Sequence, residues 1–277
     1  MKVIRSSHVG LCFGVQRARD MAERILGSEA GAAAVLGSLM HNPQEMARLK
    51  ALGLKQVTTV AQCVGFITLV RAHGISKQQL EEASRLGVTL EDATCPHVLT
   101  PRKKLERMGM AGRTVILLGD ENHAEVRAQV SYATGPVFVA MSESALPDLP
   151  RDTPIGLIAQ TTLTEERFLH MAARVAKSFD DVKIYDTICT DTQQRQKAAM
   201  ELAGKVDAMV VVGGRNSANT CRLVEICEST HTHTVHIEEP HELFPKDLRG
   251  VEVVGLTSGA STPEWLLEAV HHRLEEF

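Results

Sequence analysis

Three cysteines stand at matching places in this chain. Cys12 lies in Gly10-Leu11-Cys12-Phe13-Gly14, Cys95 in Asp92-Ala93-Thr94-Cys95-Pro96, and Cys189 in Asp186-Thr187-Ile188-Cys189-Thr190-Asp191. Each ends a short run suited to a strand, and a helical pattern follows each. They are 83 and 94 residues apart with no Cys-x-x-Cys pair, so only the fold can bring these thiols together. Three thiolates at one point repel one another unless they bind metal. They would leave one coordination position open. On zinc that describes a catalytic site, and on a cubane cluster it leaves one iron free for a substrate. The other cysteines read differently. Cys63 sits in the apolar Val60-Ala61-Gln62-Cys63-Val64 and reads as a small buried hydrophobe. Cys221 and Cys227 are six apart on one predicted helix, so they point to different faces and do not chelate together.

His41, His73 and His123 stand just beyond the ends of three predicted strands. Uncoordinated imidazoles there suit an anion by donating hydrogen bonds. Ser217, Asn219 and Ser261 add neutral donors near predicted helix N-termini, which favour anions. A phosphate or diphosphate fits this set; three histidines with Glu125 as a metal site is the competing reading. Glu125 follows His123 by two in Asn122-His123-Ala124-Glu125-Val126. It is either a solvated glutamate opening a helix or a proton donor beside the open iron.

The elements that must position these residues recur in threes. After each cysteine comes a helical pattern, then a strand ending on glycine: Gly37 follows Cys12 by 25 residues, Gly119 follows Cys95 by 24, and Gly213 follows Cys189 by 24. A further strand with a small polar end completes each round, at Phe66–Val70 before His73, Ile155–Ala159 before Gln160-Thr161-Thr162, and Val251–Leu256 before Ser258-Gly259-Ala260-Ser261. Alternating short apolar runs and helical patterns predict an α/β fold of mainly parallel sheets. The polar residues fall at C-terminal strand ends, the edge of an open parallel sheet that carries ligands. We expect three similar α/β sub-domains, at 13–95, 96–188, and 1–12 with 189–277. After Cys95 comes Pro96, then Thr100-Pro101 as a second N-cap and first-turn proline, so the helix starts as late as Thr100 or is kinked by Pro101; after Cys189, Asp191 or Thr192 caps the helix. Residues 141–154 and 240–250 read as surface connections.

Composition narrows the function. The 277 residues are 44% hydrophobic and 23% charged, as in an ordinary globular protein. Aromatic residues are 4% and the formal net charge is −4, which argues against nucleic-acid binding by stacking or by phosphate contacts. Nothing at the start reads as a signal peptide, and no apolar run approaches the roughly 20 residues of a membrane helix. Scattered cysteines suit a reducing, cytoplasmic setting.

The motifs together resemble the LytB/IspH family of 4-hydroxy-3-methylbut-2-enyl diphosphate reductases of the non-mevalonate isoprenoid pathway. The matching pieces are the three cysteine junctions with Met40-His41-Asn42, Ala72-His73-Gly74-Ile75-Ser76, Asn122-His123-Ala124-Glu125-Val126, Gln160-Thr161-Thr162-Leu163, Asn216-Ser217-Ala218-Asn219-Thr220 and Gly259-Ala260-Ser261. They run in family order over essentially the whole chain. The resemblance implies a pseudo-threefold trefoil around an oxygen-sensitive 4Fe–4S cluster, one per chain, held by Cys12, Cys95 and Cys189. The fourth iron would take the substrate's allylic oxygen. Reduced ferredoxin or flavodoxin would supply two single electrons, and the hydroxyl would leave as water to give isopentenyl and dimethylallyl diphosphate. The resemblance further implies that His41, His73, His123, Ser217, Asn219 and Ser261 bind the diphosphate, that Glu125 delivers the proton, and that Thr161 orients Glu125 and the substrate oxygen. Two residues depart from the pattern. Some members carry serine where this chain has Ala218, which removes a side-chain donor but leaves the backbone N–H to bind. Pro101 is unexpected early in its helix. A non-catalytic iron–sulfur sensor and a zinc hydrolase are the competing readings; a sensor needs neither the anion-binding residues nor Glu125, and a zinc enzyme is colourless.

Overall fold

The computed structural model describes residues 1–28 and 32–277. In chain order its elements are β1 (Lys2–Arg5), α1 (Phe13–Leu26), β2 (Ala33–Leu36), α2 (Pro43–Ala51), β3 (Lys55–Val57), β4 (Ile67–Val70), α3 (Lys77–Arg85) and β5 (Thr89–Asp92). There follow α4 (Pro96–Met110), β6 (Thr114–Leu118), α5 (Ala124–Val130), β7 (Val137–Ala140), β8 (Ile155–Ala159), α6 (Glu165–Ser178) and β9 (Val182–Ile184). The last elements are α7 (Thr190–Ala203), β10 (Ala208–Val212), α8 (Ala218–Ser229), β11 (His233–Ile237), β12 (Val253–Ser258) and α9 (Glu264–Glu275).

The described strands form three four-stranded parallel sheets with one shared order: β3-β2-β4-β5, β7-β6-β8-β9 and β11-β10-β12-β1. The strand before each cysteine takes the same outer position. β5 and β9 reach it from within their own stretch of chain, whereas β1 reaches it from the start of the chain and pairs Lys2 with Val253 and Arg5 with Leu256.

The β6 and β10 sequences explain why helices cover both faces of their sheets. In β6, Ile116 and Leu118 pack with Phe168, Met171 and Val175 of α6, while Val115 and Leu117 pack with Leu105 and Met108 of α4 and Val126 of α5. In β10, Val210 and Val212 face Leu266, Leu267 and Val270 of α9, and Met209 and Val211 face Ala199 of α7 and Leu223 of α8. A run that is apolar on both alternating sets is what a strand between two helical layers requires.

By contact, the chain divides into two compact units. One contains residues 1–16, 40–52 and 190–277; the other contains 17–39 and 53–189. His41 and α2 thus pack with the sheet that holds β10 and β12, although they follow β2 in sequence. Trp265 Nε1 helps hold them there by donating to buried Glu45 at 3.0 Å.

One helix start left open by the sequence is settled, and another differs from expectation. α4 begins at Pro96, with Cys95 at its N-cap, so Thr100 lies inside it. Proline at the first helical position has a suitable fixed φ, and its missing N–H is one the helix leaves unpaired anyway. Pro101 sits in the interior, and the Thr100 hydroxyl donates to the Pro96 carbonyl at 3.3 Å. α7 begins at Thr190, so Asp191 and Thr192 are in its first turn. Asp191 instead pairs one turn on with Arg195, at 3.3 Å.

Arg195 is among the largest fully buried side chains, and it ties three segments together. Nη1 donates to the carbonyls of His8 at 3.2 Å and Ser258 at 3.3 Å, and Nη2 donates to Asp191. It therefore holds the loop before Cys12 to the end of β12 and the start of α7. We expect Arg195→Met to lose about 1–3 kcal/mol of stability, because one buried and one part-buried carbonyl lose a charged donor; urea denaturation reads this directly.

Candidate active site

In the unit of residues 17–39 and 53–189, β6 and β8 end side by side and carry Glu125 and Thr161. A turn at Asp120 leads to His123, which caps α5: its Nδ1 accepts the Glu125 backbone N–H at 3.2 Å. A neutral ring bonded in this way has its proton on Nε2 and is a donor there. Glu125 is only 2% exposed. Its Oε1 accepts from the Thr161 backbone N–H and from Gln129 Nε2, each at 3.0 Å, and its Oε2 accepts from the Thr161 hydroxyl at 2.7 Å. Burial raises the Glu125 pKa above the ordinary carboxylate value; the bonds from Thr161 and Gln129 pull it back only in part. Burial thus favours the neutral carboxyl, and its Oε2 faces the Thr161 hydroxyl. Gln160 fixes the pair of strand ends by accepting the Asp120 N–H at 3.0 Å.

The same unit gathers His73, Cys95 and Cys189 at this edge. His73 lies in a turn closed by the Gly74 N–H on the Arg71 carbonyl at 2.9 Å. Gly74 has φ +86°, a conformation that favours glycine. The His73 and His123 rings stand edge to face with centroids 5.4 Å apart. Cys95 N–H donates to the Ala72 carbonyl at 3.0 Å, and Cys189 N–H donates to the Thr161 carbonyl at 2.9 Å. One thiol is therefore tied to the histidine turn and the other to the threonine that holds Glu125. Burial raises the Cys95 pKa; backbone N–H groups of His97 and Val98 oppose the rise, while the charges of Cys189 and Glu125 add to it. Two thiols that repel as thiolates are a donor pair that a cationic centre stabilises.

The other unit carries Cys12, His41, Ser217, Ala218, Asn219 and Ser261. The Cys12 N–H donates to the Ala260 carbonyl at 2.9 Å, and the Gly10 N–H donates to Ser258 Oγ at 2.9 Å, so the Cys12 loop is pinned to the end of β12. Ser261 Oγ donates to the His41 carbonyl at 3.0 Å. Gly214 backs the same carbonyl so closely that a Cβ there would lie 2.5 Å from the oxygen. Ser217 caps α8, its Oγ accepting the Thr220 N–H at 3.3 Å, and Ala218 is the first helical residue. Asn219 is 5% exposed, and neither its carbonyl oxygen nor its amide nitrogen has a hydrogen-bond partner among the described residues. A buried amide in that state is costly unless a polar ligand satisfies it. Beside a helix N-terminus, this suits an anion.

Cys63 and Cys227 are buried in apolar surroundings, and burial pushes the Cys227 thiol up to about 12. Cys221, on the same helix α8, donates to the Arg215 carbonyl at 3.2 Å. Sequence reasoning missed Gln129 and Arg195. Gln129 follows Glu125 by four on α5, a spacing that puts two side chains on one helix face and that would have revealed the pair. Arg195 carried no local signal, because its partners are carbonyls far away in sequence.

The arrangement has relatives. The family model described as LytB protein matches residues 3–275. The 4-hydroxy-3-methylbut-2-enyl diphosphate reductase of Geotalea uraniireducens is 39% identical over 276 residues, covering 100% of this chain and 98% of that protein. That of Geobacter sulfurreducens is 39% identical over 277 residues, with the same coverage. A solved structure of (E)-4-hydroxy-3-methyl-but-2-enyl diphosphate reductase, the terminal enzyme of the non-mevalonate pathway, is 37% identical, covers both chains fully and has a TM-score of 0.74. The E-1-hydroxy-2-methyl-but-2-enyl-4-diphosphate reductase of Plasmodium falciparum is 26% identical, with a TM-score of 0.93 over 98% of this chain and 87% of that one. A match that runs from the first strand to the last helix takes in every motif placed above, and on it the chain belongs to the LytB family.

Proposed function

We propose that this chain is a 4-hydroxy-3-methylbut-2-enyl diphosphate reductase, which removes the allylic hydroxyl of its substrate as water with two electrons and two protons. The observation that carries this reading is Glu125: a buried carboxyl disposed to keep its proton, bonded to Thr161, whose carbonyl holds the N–H of Cys189. An acid in that state beside thiol ligands suits protonation of a departing oxygen.

Cys12, Cys95 and Cys189 would hold an iron–sulfur cluster, which family membership implies. The donor chemistry suits it: Cys95 and Cys189 lie at one edge of one unit, where charge on Cys189 raises the proton affinity of Cys95, and the Cys12 backbone is fixed to β12 in the other. When bound, the cluster supplies the electrons and the Lewis acidity that loss of a hydroxyl from carbon needs. The chain's own residues do the rest. His41, His73, His123, Ser217, Asn219 and Ser261, with the Ala218 backbone N–H, bind the diphosphate. Because the diphosphate is remote from the reacting carbon, its binding energy serves positioning. Glu125 holds the proton on its carboxyl, and the Thr161 hydroxyl orients it toward the substrate oxygen. We assign the sub-domains to 13–95, 96–188, and 1–12 with 189–277, the setting to the cytoplasm, and the electron source to reduced ferredoxin or flavodoxin. Among the described residues no helix is long and apolar enough to cross a membrane.

The test is anaerobic purification, iron and sulfide analysis with a visible spectrum, and turnover of the allylic diphosphate with dithionite and a viologen. A colourless protein without iron, or a full cluster with no turnover, would overturn the reading. The anion site has its own expected result. His123→Ala and Asn219→Ala should each raise KM or Kd for substrate roughly tenfold to a hundredfold, the loss of one hydrogen bond to a charged group, at about 1.5–3 kcal/mol. Iron content should stay near normal. Loss of iron from the His123 variant would make that histidine a metal ligand instead.

A further inference from the structure

Glu125 and Gln129 stand one turn apart on α5, and their side chains meet at 3.0 Å in a buried setting. The two carboxyl oxygens of Glu125 are not equivalent. Oε1 receives two N–H groups, one from the Thr161 backbone and one from Gln129. Neither donor can turn into an acceptor by rotating a hydroxyl. Oε2 faces a single partner, the Thr161 hydroxyl, at 2.7 Å. A hydroxyl can donate or accept, so it tolerates a proton on the oxygen it faces. Gln129 is itself 1% exposed, and its carbonyl oxygen has no hydrogen-bond partner among the described residues. Among the described residues its side chain therefore has one hydrogen-bond partner, the carboxyl group.

We infer that Gln129 is a positioning residue for the proton of Glu125: with the Thr161 N–H it occupies Oε1, and so places the proton on Oε2, against the Thr161 hydroxyl. Holding the proton there costs the carboxyl little freedom, because both donors to Oε1 are fixed, one by the backbone at the end of β8 and the other by α5. When Oε2 is protonated, the Thr161 hydroxyl accepts from it and its own hydrogen turns outward. Without Gln129 the proton distributes over both oxygens, and only one of them leads to Thr161.

The inference rests on the proposed reductase reading for its kinetic consequence, but not for its physical one. Gln129 favours the ionised carboxyl by donating to it, so its removal moves proton release to higher pH. The titratable group whose charge couples to this carboxyl is Cys95, at the N-cap of α4; His123, at the N-cap of α5, bonds the Glu125 backbone N–H, and Thr161, at the end of β8, is the neutral partner of the carboxyl. None of these changes in Gln129→Met, which keeps length and apolar volume while removing the donor.

The experiment follows the carboxylic-acid carbonyl band by infrared difference spectroscopy in anaerobically prepared holoenzyme, with Glu125→Gln assigning the band. It is paired with kcat and KM across pH. In Gln129→Met the band should persist to higher pH by about one pH unit. The alkaline limb of kcat should move with it, and KM should hold. Adding Gln129→Met to Glu125→Gln should produce no further shift. An unmoved band, or one that moves to lower pH, would overturn the inference; the second result would mean that the amide carbonyl accepts the proton. A uniform fall in kcat with an unmoved limb would assign Gln129 a merely structural role and overturn it too. Gln129→Leu, with less side-chain freedom, repeats the test if the methionine variant fails to fold. Absence of turnover in the unsubstituted protein would count against the reductase reading alone, since the infrared arm needs no turnover.

Discussion

Cys95→Ala protein, purified without oxygen, should emerge nearly colourless, with iron and sulfide far below the unsubstituted protein and turnover close to background. Metal–thiolate sites are worth about 10–16 kcal/mol in all, so one of three ligands carries on the order of 3–5 kcal/mol. That corresponds to roughly 10²–10⁴-fold in occupancy at a given iron supply. The structure supplies a matched control. Cys63 and Cys227 are as buried as Cys95, yet they pack among apolar residues. Cys63→Ala and Cys227→Ala should keep a full cluster and near-normal rates, and lose only about 1–2 kcal/mol of stability through the atoms removed from the core. If iron content fell equally in all three variants, the loss would reflect general destabilisation and Cys95 would not be a ligand.

Glu125→Gln should retain cluster and substrate affinity but lose about 10²–10⁴-fold in kcat, the usual worth of a positioned general acid. Glutamine fits the site without strain. Its carbonyl can accept from the Thr161 N–H and Gln129, as Oε1 now does, and the Thr161 hydroxyl can rotate to accept from its amide. What it cannot do is release a proton. The pH dependence follows from the sign of the shift. Burial lifts the folded pKa above the unfolded value of about 4.3. Neutral Glu125 therefore contributes stability in full below the unfolded pKa, and the contribution fades as pH rises through the folded one. The unsubstituted protein should lose stability relative to Glu125→Gln across that window, and its kcat should fall along the same limb. A Glu125→Gln enzyme with a full cluster and wild-type turnover would remove this residue from the chemistry and point to Thr161, an ordered water or the substrate's own diphosphate.

The parts of this molecule legible in sequence are those with local signals. Central strands such as Val115–Leu118 and Ala208–Val212 announce themselves as unbroken apolar runs, and the fixed offset from cysteine to glycine exposes the repeat. Edge strands such as Lys55–Val57 and Val182–Ile184 are three residues long and mostly polar or exposed, so nothing in them stands out. The start of α4 stayed open in sequence because two prolines compete for the first helical turn; Pro96 holds it while Pro101 is accommodated inside. Asp191 has the composition of a cap but reaches forward to Arg195, a partner whose burial no local pattern reveals. The candidate site residues are read from type and position, whereas the inequality of the two Glu125 oxygens is a matter of distances and is not legible in sequence.

The pairing of β1 with β12 sets an order on biosynthesis. Lys2 leaves the ribosome some 250 residues before its partner Val253, and at about 5–20 residues per second the wait is on the order of 10–50 s. During that time β2 to β9 can complete two sheets, while β1 has no partner and the third sheet stays open. Closing it means forming contacts across nearly the whole chain, which is slow relative to local pairing. Cys12 is held by the Ala260 carbonyl, so its thiol reaches its final place only after residue 260 has been made. A nascent chain stalled before β12 should therefore bind iron poorly however long it waits. Moving residues 1–12 to the far end of the chain by circular permutation should shorten the interval between synthesis and cofactor loading.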